Sequence, residues 1–199
     1  MKNEIRAIDF DTAEFRFGDH DKRTLEGYAS VFGVPTDLGR FSETIQQGAF
    51  SRALSENQDV RALVDHDSGR IIGRTKNGTL ELREDNRGLF TRIELPDTQD
   101  GRDMATLISM GYLDAMSFGF TVQRDRWEQV DGKQMRFIED VDLMDVSVVA
   151  FPQYTSTEIA LRSMPDEEFE YGEMLATDKI KNRFKLLTLG LKISSWGKQ

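Results

Sequence analysis

Ala115-Met116-Ser117-Phe118-Gly119-Phe120-Thr121-Val122-Gln123 alternates large apolar side chains with small or polar ones, the period of two that marks a β-strand. Met116, Phe118, Phe120 and Val122 point one way, and Ser117, Gly119, Thr121 and Gln123 the other. Further along, Val130-Asp131-Gly132-Lys133 carries the Asp-Gly pair of a tight hairpin. The spacing therefore predicts that Gly119 to Glu128 folds back on Gln134 to Glu139, with Ser117 on the less apolar, half-solvated face.

Working outward, Phe15 to Phe151 reads as short strands broken by turn residues. Leu25 to Phe32 is an early strand, followed by a loop from Gly33 to Gly39. Thr79 to Arg83 and Leu89 to Leu95 flank Glu84-Asp85-Asn86-Arg87-Gly88, a second hairpin in which Asn and Gly tolerate positive φ. Two helical stretches interrupt the strands. Gly48 to Glu56 sets Phe50 and Leu54 on one face. Gln99 to Met110 does the same with Met104, Leu107 and Ile108, capped by Thr98 or Asp97 and ended by Gly111.

The chain of 199 residues is long enough for one substantial core and a tail. Residues 1–163 are expected to form the folded domain. Beyond Met164-Pro165 the composition turns acidic (Asp166, Glu167, Glu168, Glu170, Glu173) and then basic (Lys179, Lys181, Arg183, Lys185). Ile180, Phe184, Leu187 and Leu191 recur there at helical spacing, so 164–199 reads as a linker and an amphipathic tail.

Several function classes are disfavoured. With no cysteine there is no thiol nucleophile and no Cys-based metal or iron–sulfur site, and the two histidines, His20 and His66, make an all-protein zinc site unfavourable. No cofactor is expected. A net charge of −9 argues against nucleic-acid binding, which needs a basic face. No apolar run approaches the roughly 20 residues of a membrane span, and Met1-Lys2-Asn3-Glu4 lacks the core of an export signal. A cytosolic setting is the expectation. There is no Gly-x-Ser-x-Gly elbow, P-loop or dinucleotide fingerprint.

Three short apolar runs each hold one side chain of the kind acyl transfer needs: a base, a nucleophile and an orienting acid. His66 lies in Leu63-Val64-Asp65-His66-Asp67 at a strand end, between two aspartates that would favour its cation if they faced it. Ser117 has Gly119 two positions on, which leaves room for backbone or substrate beside the hydroxyl. Asp145 lies in Leu143-Met144-Asp145-Val146-Ser147-Val148-Val149, apolar on both faces, and a buried carboxylate there needs a partner. An imidazole N–H or an arginine would serve, and Asp142, Asp140 and Glu139 compete for the role.

Together these segments resemble the prohead (capsid maturation) serine proteases of tailed bacteriophages, whose fold is related to that of the herpesvirus assemblins. The resemblance runs from about Leu25 to Tyr154. It rests on Glu43 to Phe50 with Gly48-Ala49-Phe50, the His66 segment with Ile72-Gly73, Gly101-Arg102-Asp103, Gly111 to Phe120, and Asp145 to Val149 running to Pro152. Each is weak alone, and their order and spacing are specific.

The resemblance implies Ser117 as nucleophile, His66 as general base and then acid, and Asp145 as third member, where relatives often carry the longer Glu. It implies a mainly β, α+β fold, a compact and largely antiparallel β-barrel with flanking helices. The implied substrates are the scaffolding protein or the scaffold-like segment of the major capsid protein, cleaved inside the immature procapsid in the host cytoplasm. Self-cleavage is implied too, with the stretch near Met164 as its place, and a homodimer or higher oligomer is compatible with it. Two other readings share the residues: a non-catalytic scaffold-binding assembly factor on the same fold, and a hydrolase of small esters.

Overall fold

The computed structural model describes residues 3–9, 14–18 and 21–150. Its strands are β1 (Asn3–Asp9), β2 (Arg16–Gly18), β3 (Asp21–Val31), β4 (Thr36–Asp37), β5 (Phe41–Ile45), β6 (Arg61–Val64), β7 (Asp67–Arg74), β8 (Leu80–Glu84), β9 (Gly88–Glu94), β10 (Ala115–Val130) and β11 (Lys133–Val149). Helix α1 (Ser51–Ser55) lies between β5 and β6, and α2 (Gln99–Ser109) between β9 and β10. The expected tail, the 163/164 boundary and the stretch near Met164 fall outside the described residues.

The hairpin of β10 and β11 is the spine. It pairs from Ala115↔Val149 to Val130↔Lys133, and its two-residue turn sets Asp131 at φ 52° and Gly132 at φ 79°, the left-handed pair that suits the twist of the strands. β1 covers the outer edge of β10. The other edge of β11 carries two parallel strands in succession, β5 beside Gln134–Ile138 and β6 beside Asp145–Val148. β4 and β7 extend the sheet from β5 and β6. The second sheet, β2-β3-β9-β8, is antiparallel throughout. The fold is thus mainly β, as expected. Among the described residues the pairings run as these two sheets, and no ring of pairings closes into the expected barrel.

One cluster of buried side chains draws on both sheets. Met116, Phe118 and Phe120 of β10 meet Leu25, Ala29, Leu89 and Ile93 of the second sheet, with Met104 of α2. Phe118 stacks on Phe120 at 5.0 Å between ring centroids and meets Phe50 edge-on at 5.7 Å. Each such side chain contributes about 1.5–3 kcal/mol by leaving water.

Local details depart from the pattern for physical reasons. The first helix is shorter than expected because Gly48 turns left-handed (φ 94°), leaving Phe50 as the buried residue ahead of α1. Thr98 caps α2 by accepting from the Gly101 N–H, and Gly111 (φ 71°) follows its end. The Asp85–Gly88 turn needs no positive φ. The Asp85 carboxylate accepts from Arg87 N and Gly88 N, and Gly88 is required because any Cβ would collide with the Ser30 carbonyl.

Pattern reading misses two strands: β4, which pairs with β5 inside the stretch from Gly33 to Gly39 expected to be a loop, and β1, which lies ahead of Phe15. The charged side chains of β1 point inward to buried partners: Arg6 is 5% exposed, and Arg136 of β11 and Glu43 of β5 are 4% and 2% exposed. Arg6 binds both oxygens of Glu43 and also Glu4, while Arg136 binds Glu4, Glu43 and Asp125. Burial alone would raise the Glu4 carboxyl, yet Arg136 and Arg6 hold it below its ordinary value.

Glu43→Ala leaves the buried Arg6 and Arg136 to share Glu4 and Asp125 and removes the most buried carboxylate of the cluster, so it is expected to lower unfolding stability in urea titrations, by about 3 kcal/mol, the low end for a broken buried pair. The depressed Glu4 carboxyl contributes stability that is full above its ordinary value and lost as pH falls through its folded value. The wild-type urea midpoint should therefore drop on acidification below pH 4.5, and Glu4→Gln should flatten that drop.

Candidate active site

The site is assembled on one face of three neighbouring strands. In the β10–β11 register Ser117 lies opposite Ser147, and Gly119 opposite Asp145. A register irregularity follows at once, with Phe120 opposite Leu143, so Met144 is the extra residue of a bulge. β6 then aligns Leu63 beside Ser147 and Val64 beside Val148.

His66 is not part of a strand. Asp65 and His66 form the two-residue turn between β6 and β7, both left-handed at φ 49° and 57°. Such a conformation costs a non-glycine residue about 1 kcal/mol or more. The turn is held from the β11 side: Asp65 N donates to the Val148 carbonyl, and the Asp65 carboxylate accepts from Ala150 N at 3.0 Å. Asp67 accepts from Gly69 N. The two flanking aspartates thus bond elsewhere.

The structure brings all three candidate residues together. His66 Nε2 lies 2.7 Å from Ser117 Oγ, and His66 Nδ1 lies 2.6 Å from Asp145 Oδ1. An imidazole that donates from Nδ1 to a carboxylate presents Nε2 as an acceptor, the tautomer a general base needs. His66 and Asp145 side chains are 19% and 14% exposed. Ser117, expected on a half-solvated face, is 1% exposed, because β10 has strands on both sides. Its hydroxyl also lies 2.9 Å from the Arg6 carbonyl of β1, to which it can donate.

The competitors of Asp145 are occupied. Asp140 and Asp142 bind Arg52, and Asp142 also accepts from Gln58 and Gln123. Glu139 binds Arg124 and Arg126. The hydrogen bond from Arg52 holds Asp142 below the usual carboxylate range, and the one from Arg126 does so for Glu139.

The space beside Gly119 is filled by the Asp145 carboxylate, rather than left for backbone or substrate. A Cβ at position 119 would overlap its Oδ2. One participant escaped pattern reading. Ser147, fully buried, donates to Asp145 Oδ1 at 2.7 Å and lies 3.2 Å from His66 Nδ1. Its spacing of two from Asp145 puts both on one strand face, which is the signal that would have found it.

A family model described as caudovirus prohead serine protease matches residues 8–170. No curated protein matches the chain. Among solved structures, the bacteriophage T4 capsid assembly protease, gp21, superposes with a TM-score of 0.51 at 10% identity, over 76% of this chain and all of that one. At that identity the likeness is one of fold.

Gly119→Ala is expected to displace the Asp145 carboxylate from His66 while the sheet persists. The check is the low-field imidazole N–H resonance of His66, present in the parent protein and lost in the variant with its strand amide pattern unchanged.

Proposed function

The chain belongs to the caudovirus prohead serine proteases, and from that premise we propose that it is a serine endopeptidase working through an acyl-enzyme on Ser117. The observation that carries the reading is the continuous run of contacts from Ser117 Oγ through His66 to Asp145, at 2.7 and 2.6 Å.

In this mechanism His66 Nε2 takes the Ser117 proton as Oγ attacks the scissile carbonyl, and returns it to the departing amine as the C–N bond breaks. His66 then takes a proton from water, whose oxygen attacks the acyl carbon, and Ser117 Oγ leaves with that proton. Asp145 fixes the imidazole tautomer and stabilises the imidazolium that forms in each half-reaction. Ser147 positions Asp145: its hydroxyl satisfies a lone pair of the same oxygen that faces His66.

The substrates we propose are the scaffolding protein or the scaffold-like segment of the major capsid protein, within the immature shell. The T4 relative's description as a capsid assembly protease supports that setting. Self-cleavage near Met164 belongs to the same proposal, with 1–163 as the protease domain.

Fluorophosphonate labelling located by mass spectrometry tests the nucleophile. The expected outcome is a single adduct on Ser117, absent from Ser117→Ala and His66→Ala, with both variants losing several orders of magnitude in cleavage of co-expressed scaffold. An unlabelled wild-type protein that still cleaves, or an adduct elsewhere, would refute it. Ser147→Ala removes a hydrogen bond to a charged group, about 1.5–3 kcal/mol, so kcat should fall by about 10–100-fold with KM little changed. Ser147→Thr, which keeps the hydroxyl, should recover part of the loss.

A further inference from the structure

β1 runs along the strand that carries Ser117. Among the described residues it pairs with β10, at the edge of the sheet, running antiparallel from Asn3↔Thr121 to Asp9↔Ala115, with Ala7 directly opposite Ser117. With it in place, Ser117 is 1% exposed. The contact is also chemically specific. The Ser117 hydroxyl has one proton, and it faces two acceptors, His66 Nε2 at 2.7 Å and the Arg6 carbonyl at 2.9 Å. A proton given to Arg6 is not available to His66.

The Arg6–Ala7 bond is not itself presented for cleavage. Its carbonyl oxygen is turned toward Oγ, whereas attack requires the carbon toward Oγ and the oxygen toward separate donors. β1 thus blocks the nucleophile without being consumed by it.

β1 can also leave without stranding a buried charge. Its ion pairs to the neighbouring strands include Arg6 on Glu43 and Glu4 on Arg136. Glu43 and Arg136 are bound to each other at 3.0 Å, and Arg136 to Asp125 at 2.6 Å, so both keep partners once Arg6 and Glu4 withdraw into water. Most of the strand precedes residue 8, where the family match begins.

We infer that the β10 edge beside Ser117 is the binding site for an extended peptide substrate, and that β1 is its resident occupant, displaced by strand exchange before each productive encounter. This rests on the assignment of Ser117 as nucleophile. Addition of an extended peptide to a free sheet edge supplies main-chain hydrogen bonds independent of sequence, while side-chain pockets set preference.

The test exploits the absence of native cysteine. Asn3 and Thr121 face each other across the strands, their side-chain oxygens 3.3 Å apart, a cross-strand pair of the kind a disulfide can bridge. The full chain carrying Asn3→Cys with Thr121→Cys is labelled with fluorophosphonate in its oxidised and reduced forms, beside wild type. The expected result is labelling of Ser117 at the wild-type rate in the reduced form, at least ten-fold slower in the oxidised form, and recovered on adding dithiothreitol. Equal rates in both forms would overturn the inference. Absence of an adduct in all three proteins would instead remove Ser117 as the nucleophile, and the inference with it.

Discussion

Everything at the site follows from the register of β10 against β11. A strand slip of one residue would turn every side chain to the opposite face, sending Ser117 into the core and Phe118 out of it. The Asp131-Gly132 turn fixes the pairing at one end, and the buried Met116, Phe118 and Phe120 fix the face. Within that register Ser117 and Ser147 are opposed, and Gly119 leaves the volume that the Asp145 carboxylate occupies. The bulge at Met144 then shifts the pairing by one residue, so that the site and the hairpin beyond it each keep their own apolar pattern inward.

His66 reaches this face by a different route. β5 and β6 lie in succession along the same edge of β11, with α1 between them, and Asp65 continues the β6 ladder by one more hydrogen bond to Val148. The chain must then reverse within two residues, both in the left-handed region. That strain is offset by the Asp65 bond to Ala150 N and by the partners His66 finds on both ring nitrogens. A short turn between two paired strands gives the ring a more defined position than a long loop would.

Sequence pattern recovers what hydrophobic period and turn chemistry encode: the two hairpins, the second helix, and its cap as one of two candidates, Thr98 or Asp97. It misplaces what long-range pairing decides. His66 reads as the end of a strand because Leu63 and Val64 precede it, and only the positive φ values show the turn. Ser117 reads as half-solvated because its own strand alternates, while its burial comes from the strands on either side. The acid's identity is ambiguous in sequence because Asp140, Asp142 and Asp145 cluster. In space Arg52 binds the first two, and the third faces His66.

β1 is the instructive failure, because it inverts the rule on which pattern reading rests. Glu4 and Arg6 turn inward to Glu43 and Arg136, while Ile5 is 36% exposed. Apart from Ala7 and the partly buried Ile8, the strand has little apolar surface in the core. A strand held by apolar burial loses roughly 25 cal/mol for every Å² it returns to water, with nothing to compensate it. A strand held by ion pairs recovers hydration of the same charges as it leaves, and the desolvation that made the pairs costly to bury is refunded. The cluster therefore fixes where β1 lies without making its departure prohibitive, a combination that an all-apolar strand beside Ser117 would not provide.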